Sequence, residues 1–191
     1  MGQINTTLLL LLLVSWSFNV AATTASFDKQ TPAQLESLES RAEAGNEKAQ
    51  MNLANMYLEG KGVTADTNKA LYYYRLAAEQ DIAFAQYKLA KLYFDGNYVE
   101  PDPDQAIAWL LRAANLGFIQ AQLTLSLVYE KGEHTPQDLI QAHKWLSIAS
   151  SLTDTDLKTT LEKLEAKMSF IELAQAKWLS TICIITGYQD C

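Results

Sequence analysis

The sequence predicts an all-α solenoid: three full helix-pair repeats of 36 residues, an N-terminal half-repeat helix and C-terminal capping helices. Three observations carry this prediction. Ala49-Gln50, Ala85-Gln86 and Ala121-Gln122 stand 36 residues apart, and Leu53, Leu89 and Leu125 keep the same step, as do Tyr57, Tyr93 and Tyr129, then Gly60, Gly96 and Gly132. Self-similarity at a fixed period over three units marks stacked repeats, each unable to bury its apolar stripe alone. Within each unit the apolar residues recur at three- and four-residue spacing, which is the helical period. Finally, 8 Gly and 4 Pro in 191 residues, with 49% hydrophobic content, leave helices uninterrupted and a core large enough to exclude disorder.

Taken in order, residues 1–25 read as a secretory signal peptide. They hold no Asp, Glu, Lys or Arg, residues 8–14 are all aliphatic, and Val20-Ala21-Ala22 places small side chains before a cut at Thr23, with Thr23-Thr24-Ala25 before a second at Ser26. The usual basic residue ahead of the run is missing, and the Met1 amino group supplies the charge. An uncleaved anchor is the competing reading, but Ser15, Ser17 and Asn19 break the run far short of the ~20 apolar residues of a span. No integral membrane segment is expected after cleavage, and the expected location is periplasmic or secreted.

Residues 26–44 are the N-terminal capping helix, since Leu35 and Ala42 fall in register with Leu71 and Ala78. The repeats span 45–80, 81–116 and 117–152. In the first, Ala49, Leu53 and Tyr57 form one stripe that Gly60 terminates, and a second helix opens at Asp66, a good N-cap, and continues through Ala70, Tyr73, Tyr74 and Ala77. Asp102 and Asp138 open the corresponding helices, with Trp109 and Trp145 in the place of Tyr73. Residues 153–182 supply two capping helices, 154–167 and 169–182, because a solenoid end needs a polar outer face. Residues 183–191 form a tail holding both cysteines. An exported chain permits a Cys183–Cys191 disulfide, and the alternative is a buried Cys183 and a free Cys191 that never meet.

The run Ala49-Gln50-Met51-Asn52-Leu53-Ala54-Asn55-Met56-Tyr57, followed by Gly60-Lys61-Gly62-Val63, Asp66, Lys69-Ala70, Tyr73-Tyr74 and Ala77-Ala78-Glu79, resembles the Sel-one-like repeat. That family is a relative of the tetratricopeptide repeat with a longer loop between its helices. The resemblance covers residues 45 to 150 and implies a right-handed α/α solenoid. Units two and three depart in the loop, where Asn97-Tyr98-Val99 with Pro101 and Pro103, and then His134-Thr135-Pro136, replace the family's pattern. The resemblance further implies an adaptor that holds or regulates other proteins, including exported ones in bacterial envelopes.

Fifteen Lys and Arg against 22 Asp and Glu give a net charge of -7, with no basic cluster, which excludes nucleic-acid binding through phosphate neutralisation. Nucleophile-elbow, phosphate-loop, dinucleotide and zinc-protease motifs are all missing, as are CxxC and Cys/His zinc spacings. No catalytic residue, cofactor or metal is therefore expected. His134 falls in a loop, and His143 stands where units one and two carry Leu71 and Ile107, a helix-surface or half-buried position. Tyr73 and Tyr74 belong to the core, leaving Tyr72 outside it.

The expected site is the concave face of the stacked first helices. Asn52, Lys88 and Thr124 form one row across the repeats, and Asn55, Lys91 and Leu127 the next. Such a ladder suits a protein or peptide segment, with the two lysines meeting its carboxylates. Two alternatives stand beside this adaptor. A cysteine-rich branch of the same family is associated with β-lactam binding or hydrolysis, but carries paired cysteines in each repeat, whereas residues 1–182 have none. The other is a structural part of an envelope assembly, which a large exposed apolar patch would favour.

Overall fold

The computed structural model describes residues 31–153, 156–188 and 191, so the signal-peptide reading lies outside the described residues. Among these, every regular element is helical. We number them α1 (Pro32–Glu43), α2 (Glu47–Glu59), α3 (Thr67–Glu79), α4 (Ala83–Asp95), α5 (Pro103–Asn115), α6 (Ile119–Lys131), α7 (Leu139–Leu152), α8 (Lys158–Glu165) and α9 (Phe170–Ile185). Each helix from α1 to α7 packs on the next, and α9 returns to pack on α7. The result is an all-α solenoid of three repeats, α2–α3, α4–α5 and α6–α7.

The same local chemistry builds each repeat. Gly60, Gly96 and Gly132 end the first helices with φ of 68°, 63° and 70°, the left-handed conformation that glycine adopts without strain. After the loop, the amides of Asp66, Asp102 and Asp138 donate to the carbonyls of Tyr57, Tyr93 and Tyr129 at 2.9, 3.1 and 2.9 Å. The same aspartates cap α3, α5 and α7, accepting from the amides of Lys69, Gln105 and Gln141. Both ends of every loop are thus pinned alike, although the loop sequences diverge.

The stripes meet in a continuous interior. Leu53, Leu89, Leu125, Tyr74, Leu110 and Trp145 are fully buried, among alanines that let the helices approach. Tyr57 and Tyr73 stack with ring centroids 6.1 Å apart. Tyr72 is half exposed, as its place outside the register requires.

A buried glutamine joins each repeat to the helix before it. The Nε2 groups of Gln50, Gln86 and Gln122 donate to the carbonyls of Ala42, Ala78 and Ala114 at 2.9, 2.9 and 3.0 Å. Those carbonyls lie in the last turns of α1, α3 and α5, where intrahelical donors have run out. The Ala-Gln spacing in the sequence is therefore a C-terminal cap supplied in trans by the following helix.

Two details depart from the sequence-based expectation. Helix α8 is shorter than 154–167, and α9 continues to Ile185, so Cys183 belongs to the last helix and not to a tail. Cys183 is buried there and disulfide-bonded to Cys191, with the Cα atoms 5.0 Å apart.

Candidate functional site

The six residues of the expected ladder lie on the first helices α2, α4 and α6, but in different environments. Asn52 is exposed. Asn55 is half-buried, and its Oδ1 accepts the Tyr74 hydroxyl at 2.6 Å, so that amide oxygen is committed to the fold. Lys88 is half-buried with its Nζ 5.3 Å from the Phe84 ring centroid, whereas Lys91 is exposed. Thr124 turns its hydroxyl back to the Gln120 carbonyl at 2.7 Å, and Leu127 is half exposed.

Two concavities mark the ends of this surface. Asn52, Asn55 and Met56 of α2 face Ser37 and Arg41 of α1 across a groove of about 620 Å³, with Glu59 and Lys61 at its rim. Lys61 bonds Glu59 at 2.6 Å and, with a weaker pull from Lys88, holds that carboxyl below its ordinary range. At the far end a hollow of about 160 Å³ gathers Phe94, Leu127, Val128 and His134. Lys88 and Lys91 line neither, and occupy α4 between them in chain order. The arrangement is a charge-bearing groove at one end and, separate from it, a small hollow floored by Phe94, Leu127 and Val128 and edged by Lys131, Glu133 and His134. It offers hydrogen-bond donors and acceptors and a place for an apolar side chain.

A second polar cluster escaped the sequence reading, and it sits where the repeats meet the cap. His143 is buried, not at the surface or half-buried as its position suggested. Its Nε2 lies 3.0 Å from Glu165 Oε1, and its Nδ1 3.2 Å from the Ser147 hydroxyl one turn along α7. Glu165 also takes Lys177 Nζ at 3.1 Å, and these two bonded neighbours lower its carboxyl pKa. A buried polar side chain needs such partners, and here they fasten α7 to α8 and α9. Next to it Lys144 is buried, donates to the Cys191 carbonyl at 2.9 Å and lies over the Trp145 ring at 4.3 Å. Burial drives its ammonium pKa down to about 8. The sequence signal was the break in register: His143 and Lys144 replace Leu71 and Tyr72 of unit one, and Ile107 and Ala108 of unit two.

No group of three His, Cys, Asp or Glu able to hold a metal occurs among the described residues. Nor is any described helix long and apolar enough to cross a membrane.

Comparison with known proteins agrees with this architecture. The family model of the Sel1 repeat matches residues 47–82, 83–118 and 119–154. The solved structure of a Sel1 repeat protein from Oxalobacter formigenes is similar at 33% identity and a TM-score of 0.60, over 68% of this chain and 97% of that one. Another, c5321, a protective antigen present in uropathogenic Escherichia coli strains and displaying an SLR fold, gives 28% identity and a TM-score of 0.48, over 78% of this chain and 40% of that one. No curated protein matches the chain. With all three repeats matched, and the helices, glycine turns and aspartate caps recurring in each, the chain belongs to the Sel1 repeat family.

Proposed function

We propose that the chain is an exported, non-enzymatic scaffold that holds a segment of another protein along its first-helix face, through Asn52, Asn55, Lys88, Lys91, Thr124 and Leu127. Sel1 repeat proteins are generally protein-interaction scaffolds, and their fold is typically non-enzymatic. The observation that carries the reading for this chain is the 620 Å³ groove between α1 and α2, which brings Asn52 and Asn55 against Arg41. An extended segment seated there and running past α4 passes two lysines before reaching the hollow at Leu127. Acidic residues on that segment would meet Lys88 and Lys91. A Cys183–Cys191 disulfide suits an oxidising compartment, periplasmic or extracellular. The architectural alternative is favoured by one observation, the exposed apolar face of α9.

The test is crosslinking in the native compartment with wild type, Lys88→Glu/Lys91→Glu, and a matched reversal on α8, Lys158→Glu/Lys163→Glu. The α4 variant is expected to lose its crosslinked partner at unchanged helical content, and the α8 variant to keep it. Retention by the first, or equal loss by both, overturns the assignment of this face.

A further inference from the structure

Five of the large apolar side chains left exposed are on the last helix: Phe170, Ile171, Trp178, Ile184 and Ile185, at 87%, 76%, 62%, 40% and 74%. Its opposite face is already spent, since Ala176, Ser180 and Cys183 are buried. A helix that is apolar on both faces is one that is covered on both.

The exposed face is patterned. Ile171, Ala174, Trp178, Thr181 and Ile185 are all exposed, and they follow steps of three and four residues, the a/d spacing along which helices pair. Large side chains occupy every a position, Ile171, Trp178 and Ile185, and small ones every d position, Ala174 and Thr181. In a parallel pair, a meets a and d meets d, which crowds indole against indole and leaves voids between the small residues. In an antiparallel pair, a meets d, so every layer combines one large and one small side chain and fills evenly. A two-fold axis produces this arrangement from two identical helices.

Charge and area point the same way. The only formal charges on α9 are Glu172 and Lys177, and both are engaged within the chain, with the Ser169 amide at 2.7 Å and with Glu165 at 3.1 Å. Two copies of a chain of net charge -7 therefore meet on a face that is itself neutral. With aromatic side chains burying about 150–250 Å² each, Phe170 and Trp178 offer roughly 300–500 Å² per copy, to which Ile171 and Ile185 add their own exposed surface. Doubled, that total reaches the lower bound of stable interfaces, about 1,200 Å². A membrane surface fits less well: interfacial helices carry several basic residues, and an acidic protein is repelled by anionic lipid.

We propose that α9 is a homodimerisation surface, on which a second copy of the chain packs its own α9 antiparallel about a two-fold axis, seating Trp178 against the partner's Ala174 or Thr181. The test is sedimentation equilibrium of the purified protein over a wide concentration range. Wild type is expected to move from monomer to dimer. Trp178→Glu and Ile171→Glu are expected to remain monomeric with unchanged circular dichroism, and Tyr72→Glu, which puts the same charge on an exposed aromatic elsewhere, to dimerise like wild type.

Ala174→Trp separates specific packing from general stickiness. It adds apolar surface but fills the small layer, so it is expected to abolish the dimer. A wild type that stays monomeric, a dimer indifferent to Trp178→Glu, or an Ala174→Trp variant that associates more tightly overturns the proposal. So does a monomer that binds vesicles of phosphatidylethanolamine and phosphatidylglycerol through Trp178, which reassigns the face to a membrane.

Discussion

Replacing Gln80 by Leu should unmake a hydrogen bond that only the first repeat possesses. The Gln50 amide is buried; its Nε2 is bound to the Ala42 carbonyl, and its Oε1 accepts from Gln80 Nε2 at 2.7 Å. Gln86 and Gln122 make the same donor bond, yet their Oε1 atoms are buried without a partner among the described residues. The reason lies 30 residues further on: the positions that correspond to Gln80 hold Leu116 and Leu152, both substantially exposed. An acceptor stranded in the interior costs about 1–3 kcal/mol, and freeing the Gln80 side chain returns part of that. Gln80→Leu should therefore destabilise by about 1–2 kcal/mol, lowering Tm by roughly 2–8 °C for a chain of this length. The reciprocal change, Leu116→Gln, should stabilise by about 0.5–1.5 kcal/mol, since Leu116 and Gln80 occupy the same C-cap position with nearly the same backbone angles. Urea denaturation read by circular dichroism, with Gln80→Leu repeated in a Gln50→Met background, measures both the effects and their coupling. Equal costs of Gln80→Leu in the two backgrounds, or a Leu116→Gln variant weaker than wild type, would refute the account.

Gly96→Ala should destabilise more than Gly60→Ala in the same melts. Both glycines are left-handed, but a Cβ on Gly96 would stand 2.5 Å from Pro101 Cγ, a rigid ring, whereas one on Gly60 would stand 3.3 Å from Ala65 Cβ; equal losses would mean that the loop yields as a whole. Stability should also climb with pH above about 8. There the folded chain has shed the Lys144 proton while the unfolded chain, with an ordinary lysine near 10.5, still holds it, so the unfolded state binds more protons. Above pH 10 the sign reverses, because burial raises Tyr73 and Tyr74 to about 12 and the folded chain then keeps protons that the unfolded one loses. Lys144→Met should remove the climb and keep the fall in urea midpoints measured against pH; an unchanged climb would assign it to another group.

Most of the fold was legible because its determinants are local and repeated. Asp66, Asp102 and Asp138 cap helices whichever loop precedes them, and Gly60, Gly96 and Gly132 turn left-handed whether Val63, Pro101 or Pro136 follows, so three aligned copies average out the divergent loops. The six ladder residues could be assigned to the right helices on the same basis. Their individual environments could not: that Asn55 is held by Tyr74, or that Thr124 bonds its own helix, depends on which neighbouring side chain reaches it across helices or along a turn.

Legibility failed where the repeat stops, and for a physical reason. A residue in the middle of the solenoid sees neighbours supplied by the period, so its burial can be read from its equivalents in other units. Lys144 occupies a position held by Tyr72 in unit one, where the next helix is another first helix. In unit three α7 meets α8 and α9 instead, and the position that was half exposed is closed over by the disulfide-bound tail. The polar residues placed there, His143, Lys144 and Ser147, are satisfied by groups with no counterpart in the repeats: Glu165, the Cys191 carbonyl, and one another. The cap thus adds specific polar contacts to the apolar packing of its inner side, while its outer side keeps the apolar a/d stripe centred on Trp178. An end that served only to terminate the solenoid would be polar outward. The retention of Ile171, Trp178 and Ile185 in solvent therefore argues that stacking continues past this chain, through a second copy.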